Sequence, residues 1–281
     1  MKKKLSYKEK IKRIICYIND GDIFQTNFTH KFIAQRPANL SENLFYINFR
    51  NNTRTPFSAF LNFEDICICS FSPERFIKVD SLKVTTSPIK GTIKTSANKI
   101  KDNILKESLI KSEKNLAENL MIVDVLRNDI SKVCIKGSVK VKELAELKSY
   151  KNVHHLVSTI EGNLRSKKDI LNLLIACLPG GSVTGAPKIR AMEIISELEK
   201  SQRGVYCGAI GYISFSGDAD FNIPIRTATI FNNQISINCG GGIVADSKPE
   251  SEFCESIDKI SNIIKNGKRS KTEINKRIII K

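Results

Sequence analysis

A chain of 281 residues, 41% hydrophobic, can bury a sizeable core; with aromatics at 7% and no Trp, that core must lean on Ile, Leu and Val. The net charge is +16, but the cations are scattered and no aromatic residues interleave with them in an RNA-stacking pattern, so no specific nucleic-acid partner is expected. No apolar run is long enough to cross a bilayer, and the Met-Lys-Lys-Lys start leads into polar residues, not a secretory apolar stretch; the expectation is a cytoplasmic protein with no membrane partner.

The first helix is predicted over 7–20, where Ile11, Ile14, Ile15 and Ile18 fall at helical spacing and Gly21 is a natural stop. A strand follows over 23–33, and Ser41 can cap a short helix reaching Arg50. Strands are expected at 57–63, 66–71, 75–79 and 82–86, the last two joined by a turn at Asp80-Ser81. Residues 87–95, with Pro88 and Gly91, read as a loop. A long helix is expected over 109–128, with Leu109, Leu116, Leu120 and Val123 on its apolar side. Segments 139–147 and 154–164 look extended and 169–178 helical. Residues 179–186 form a Gly-rich loop, and Pro187 suits the first turn of the next helix. Strands return at 208–215, 221–231 and 234–238, Gly240-Gly241-Gly242 interrupts the pattern, and a last helix covers 249–265. No repeat and no linker divides the chain. Many strands with interspersed helices point to an α+β fold rather than βαβ units. The expected organisation is one catalytic domain over 1–265 and a basic, flexible tail over 266–281.

The eight cysteines include no C-x-x-C pair, and only three His are present, so a zinc site is not expected. Most of the cysteines have apolar neighbours and read as small, reduced hydrophobes.

Three features could carry chemistry. Glu252 and Glu255 lie three apart on the last helix and so share a face; Glu118 sits on the long helix beside its apolar stripe. Carboxylates converging from two helices would suit a hard cation such as Mg²⁺, although solvated acids are the commoner explanation of such spacing. The segment 179–185 and the Gly240–Gly242 triplet can present backbone N–H groups to an anion, and the first leads into a helix N-terminus. It lacks P-loop spacing, and ordinary turns explain both equally well. Lys90 lies in a constrained Pro88-Ile89-Lys90-Gly91-Thr92 segment, where a lysine can become a nucleophile.

Taken in order, nine blocks change that balance: GDIFQ (21–25), SPERF (72–76), PIKGT (88–92), AENLMIVD (117–124), LRND (126–129), HHLVS (154–158), GGSVTGAPK (180–188), GAIGY (208–212) and GGIVADS (241–247), the last leading into Glu252 and Glu255. Their wording and order resemble the chorismate-utilising enzymes, which include anthranilate, aminodeoxychorismate, isochorismate and salicylate synthases. The resemblance implies a two-sheet, largely antiparallel β core flanked by helices, here N-terminally shortened. Members that add water to chorismate resemble this chain but carry a lysine where Gln25 stands, which points to ammonia as the incoming group. Anthranilate synthases usually read Pro-Ile-Ala-Gly-Thr where this chain has Lys90, so amination at C4 of chorismate is the expected reaction.

The resemblance further implies roles for individual residues. Lys90 is the covalent nucleophile, Glu74 the general acid and base, and His155 the residue orienting the substrate. Gln25, Ser182, Thr184, Tyr206, Arg226, Gly241 and Gly242 bind chorismate, and Glu118, Glu252 and Glu255 hold Mg²⁺. With no glutaminase signature in the chain, ammonia is expected from a separate glutamine amidotransferase subunit. The rival expectations are an anthranilate synthase component and a non-catalytic chorismate-binding remnant. Two departures from the family pattern are Asn115, where an acid is common, and Ile93-Lys94 in place of Arg-Pro.

Overall fold

The computed structural model describes residues 6–53, 55–150, 153–266 and 279–280. In chain order the elements are α1 (Tyr7–Asn19), β1 (Gln25–Gln35), α2 (Glu42–Thr53), β2 (Phe57–Asn62), β3 (Ile66–Ser72), β4 (Arg75–Asp80), β5 (Lys83–Thr86), β6 (Ile89–Lys94), α3 (Lys99–Ile110) and α4 (Glu113–Ser131). These are followed by β7 (Lys140–Ser149), β8 (Val153–Asn163), α5 (Ile170–Cys177), β9 (Gly185–Ala186), α6 (Lys188–Leu198), β10 (Ile210–Ile213), β11 (Ala219–Asn222), β12 (Thr227–Phe231), β13 (Gln234–Ile243), α7 (Pro249–Asn266) and β14 (Ile279–Ile280). The strands form two sheets with helices packed on them, as expected of an α+β chain. One sheet runs β14-β1-β13-β12-β3-β2 with β9 beside β1; the other runs β10-β11-β4-β5-β8-β6 with β7 beside β8. Most of the expected basic tail, 267–278, lies outside the described residues.

Each sheet is the centre of its own compact unit. The first unit comprises Met1–Pro73, Val183–Ile210 and Ile223–Lys281; the second comprises Glu74–Ser182 and Gly211–Asn222.

In the first unit, alternation along the strands separates a greasy face from a polar one. On β1, Phe28, His30 and Phe32 point one way; on β13, Ile235, Ile237, Cys239 and Ile243 share a parity. The greasy side packs against α1 and α6 through Ile11, Ile14, Ala191, Ile194 and Leu198, and against α2 and α7 through Phe45, Phe49 and Ile260. Ile11 and Ile14 are fully buried, each adding roughly 1.5–3 kcal/mol by leaving water. A capping box sets the start of α1: Ser6 accepts from the Glu9 amide while Glu9 returns a bond to the Ser6 N–H. The opposite parity carries buried polar groups, among them Gln25, Thr29, Ser70, Ser72, Thr227 and Asn238. So many polar side chains buried on one sheet face are costly unless they are hydrogen-bonded or reserved for a ligand.

In the second unit, α4 packs on β6, β7 and β8 and buries Ile122, Val123, Leu126 and Ile130. Here the expectation of one helix over 109–128 is corrected. Ser112 caps a new helix by accepting from the Asn115 amide, so α3 ends at Ile110 and the chain restarts. Leu116 and Leu120, predicted on the buried side, are exposed. The expected strand 221–231 is also two strands, β11 in the second sheet and β12 in the first. All eight cysteines are free, six of them buried. Among the described residues, no helix is long and apolar enough to cross a membrane.

Candidate active site

In the second unit the expected loop over 87–95 is a strand with a flaw in it. Ile89 pairs with Val157 and Thr92 with His155, so the register slips between them. Lys90 and Gly91 occupy the slip, and Gly91 takes φ +82, a conformation that a side chain would strain. A bulge of this kind re-aims a side chain away from the strand's ordinary alternation. Lys90 Nζ reaches the carbonyl of Ser182 at 3.4 Å. Thr92 Oγ1 lies 2.8 Å from His155 Nδ1, which fixes the ring, and the Tyr150 ring meets it edge-on. Glu74, buried, precedes β4. Glu118 is half-buried on α4, next to Asn119, whose side-chain oxygen accepts from Ser158 beneath it. Ser182 is buried and its hydroxyl has no hydrogen-bond partner.

The other expected residues lie in the first unit. Gln25 opens β1, pairs with Ala186 of β9, and is only 2% exposed. Its side-chain carbonyl oxygen is buried without a partner, an acceptor left for something the chain does not supply. The glycine triplet does not interrupt β13, contrary to expectation; the strand continues to Ile243. A Cβ at Gly242 would overlap Gln25 Nε2, and one at Gly240 would overlap the Phe28 carbonyl. The glycines are there to let β1 and the Gln25 side chain come close. Thr184 is buried and its carbonyl accepts from the Asn27 amide at 2.6 Å and from Thr26 Oγ1 at 3.2 Å. Burial pushes the Tyr206 phenol well above its ordinary pKa, so it stays a neutral donor. Arg226 sits at φ +52, uncommon for a residue with a side chain and frequent at functional sites.

Glu252 and Glu255 share a face of α7, as their spacing predicted, and that face meets the strand at Gly241. Measured from a Cβ position on Gly241, Glu252 Oε2 is 3.5 Å away and Glu255 Oε1 3.7 Å. Glu252 is buried and accepts from Ser247 Oγ at 2.7 Å. A residue that sequence reasoning passed over also stands there. Lys259 bonds Glu255 at 2.7 Å and the Gly240 carbonyl at 2.9 Å; its place four residues after Glu255 was the available signal. Among the described residues no group of three His, Cys, Asp or Glu could hold a metal ion. Two carboxylates beside the strand backbone at Gly241 still fit Mg²⁺, which takes oxygen ligands, often through only one or two carboxylates, and keeps waters for a substrate to displace.

Residues 2–265 match the family described as chorismate binding enzyme. The chain is 47% identical over 259 residues to aminodeoxychorismate synthase component 1 of Escherichia coli, covering 92% of this chain and 57% of that one. It is 38% identical over 262 residues to anthranilate synthase component 1 of Aquifex aeolicus, covering 93% and 53%. The crystal structure of anthranilate synthase component I from Streptococcus pneumoniae matches with a TM-score of 0.83 at 37% identity, over 92% of this chain and 57% of the other. The chain thus spans a little over half the length of these relatives.

Proposed function

Because this chain belongs to the chorismate-binding enzymes, we propose that it aminates chorismate at C4 to give 4-amino-4-deoxychorismate, as component 1 of an aminodeoxychorismate synthase serving 4-aminobenzoate and folate synthesis in the cytoplasm. The observation that carries the reading is Lys90 in the bulge of β6, together with 47% identity to the E. coli component 1.

In this reading Lys90 attacks C2 of the ring as a neutral amine. The ring double bonds shift and the C4 hydroxyl departs as water, taking a proton from Glu74. Ammonia then bonds to C4, the double bonds shift back, the C2–N bond to Lys90 breaks, and Glu74 recovers a proton from the incoming nitrogen. His155, held by Thr92, orients the ring near C1. Arg226 and Tyr206 take the enolpyruvyl carboxylate, with the planar guanidinium suited to both oxygens. Gln25, Ser182, Thr184 and the backbone at Gly241 and Gly242 complete the binding set, with Gln25 and Ser182 offering the unpartnered polar atoms described above. Glu118, Glu252 and Glu255 would hold Mg²⁺, which when bound neutralises the ring carboxylate. The reading treats 1–265 as the catalytic portion, with ammonia drawn from a separate glutamine amidotransferase.

Incubation of the purified chain with chorismate, Mg²⁺ and ammonium, with and without an aminodeoxychorismate lyase, tests the reading. Product that becomes 4-aminobenzoate only with lyase supports it. Fluorescent anthranilate formed without lyase would replace it with the anthranilate synthase reading, which the 38% identity to the Aquifex enzyme keeps in play. Turnover with glutamine in place of ammonium would contradict the separate amidotransferase.

A further inference from the structure

Arg203 is a charge that no step above uses. Its side chain is 15% exposed and that of Glu199, one turn earlier, 4%. The guanidinium donates from Nε to Glu199 Oε2 at 2.8 Å, and one terminal nitrogen donates to Glu199 Oε1 at 2.7 Å and to the Asn27 carbonyl at 2.6 Å. The other terminal nitrogen donates to the Val183 carbonyl at 2.8 Å. Glu199 Oε1 also accepts from the Thr29 amide at 2.7 Å and from Thr29 Oγ1 at 2.9 Å. Burial alone would lower the Arg203 pKa, but the Glu199 bonds and charge hold it above its ordinary value, so the fork remains cationic.

A buried pair of this kind gains little over an apolar isostere of the same shape, so stability is a poor reason for having one. What it does achieve is geometric. It binds three segments that are remote in sequence: β1 at Asn27 and Thr29, the Gly-rich segment at Val183, and the turn that begins at Arg203. Residues assigned to chorismate lie close to each anchor. Gln25 is two residues before Asn27. Thr184 follows Val183 and bonds β1 through its own carbonyl. Tyr206 hangs its amide on the Arg203 carbonyl at 3.2 Å, and the turn goes on through Cys207 at φ +67.

We propose that Arg203, oriented by Glu199, is a positioning residue that sets the relative placement of Gln25, Thr184 and Tyr206 for substrate binding. The inference rests on the chorismate reading of these residues given above. It identifies a determinant of substrate affinity that does not touch the substrate.

The test is Arg203→Lys in the full chain. Lysine keeps a cation beside Glu199 but lacks the planar fork, so it cannot reach the Asn27 and Val183 carbonyls together. Losing two hydrogen bonds should raise KM for chorismate about tenfold. The proposal also requires kcat within about threefold of native, KM for ammonium unchanged, and faster amide hydrogen exchange over 183–185. The paired variant Arg203→Met with Glu199→Gln guards against misfolding, because it leaves no uncompensated buried charge and Gln still accepts from Thr29; it should show the same rise in KM. A native KM for chorismate in either folded variant overturns the proposal, as does a loss confined to kcat, or a raised KM with native exchange over 183–185. Failure of the unmodified chain to bind or turn over chorismate would instead refute the functional reading, and the exchange comparison would still decide whether Arg203 restrains the segment.

Discussion

Gly242→Ala should damage the site through one specific collision. The new methyl would overlap Gln25 Nε2 and lie 3.2 Å from its Cδ, and Gln25 is only 2% exposed. Either Gln25 leaves its rotamer or β1 and β13 separate, and overpacking of this kind costs about 1–3 kcal/mol. For a chain of this size that is a fall in Tm of roughly 2–10 °C. If Gln25 also bonds a reacting group, its displacement removes a further buried hydrogen bond of about 1–3 kcal/mol, a loss of roughly 5- to 150-fold in kcat/KM. A double-mutant cycle isolates the cause. In a Gln25→Ala background the methyl has room, so Gly242→Ala should cost little there, giving a coupling of about 1–3 kcal/mol. Gly240→Ala is the control, because its methyl would meet the Phe28 carbonyl, and shortening Gln25 cannot relieve that. Thermal unfolding and initial rates with chorismate and ammonium read both quantities. Native stability and rate in Gly242→Ala, or an unchanged penalty when Gln25 is Ala, would refute the reasoning.

Three further outcomes are expected. Lys90→Ala should lower formation of the C4-aminated product on the order of a hundredfold or more and release a trace of C2-aminated product, while intact mass shows a chorismate adduct only on the native chain; a native rate would remove the covalent role. Glu255→Gln and Glu118→Gln should each raise the Mg²⁺ concentration needed for half-maximal activity, and indifference of both at limiting Mg²⁺ would sink the metal assignment. His30 should make the fold acid-sensitive. Burial lowers its pKa from 6.5 to about 4, so the unfolded chain binds the proton first. Stability is then full above pH 6.5 and falls by up to about 3 kcal/mol as pH drops toward 4. Urea titrations at pH 7 and pH 5 should show about 2 kcal/mol of that loss in the native chain and a flatter response in His30→Asn.

Some of this architecture was legible in single residues. The spacing of Ile11, Ile14, Ile15 and Ile18 with Gly21 behind it defined α1, and the three-residue step from Glu252 to Glu255 put both acids on one face of α7. The apolar stripe expected through Leu116 and Leu120 faces solvent, because the chain restarts at the Ser112 cap. Arg203 and Glu199 stand four apart, a spacing that signals a pair but not its burial or the Asn27 and Val183 carbonyls it holds.

The sequence by itself determined the α+β class, the carboxylate face of α7 and, through nine ordered blocks, the family. These are local properties or patterns of residue type, and short-range periodicity or wording is enough to express them. Tertiary structure alone decided that Lys90 lies in a bulge, that the glycine triplet continues β13, and that 221–231 divides between two sheets. Each of those depends on which strand lies alongside and in what register. A bulge exists only relative to a partner strand, and a glycine chosen for close approach looks like any other glycine until the group it admits, here the side chain of Gln25, is in place.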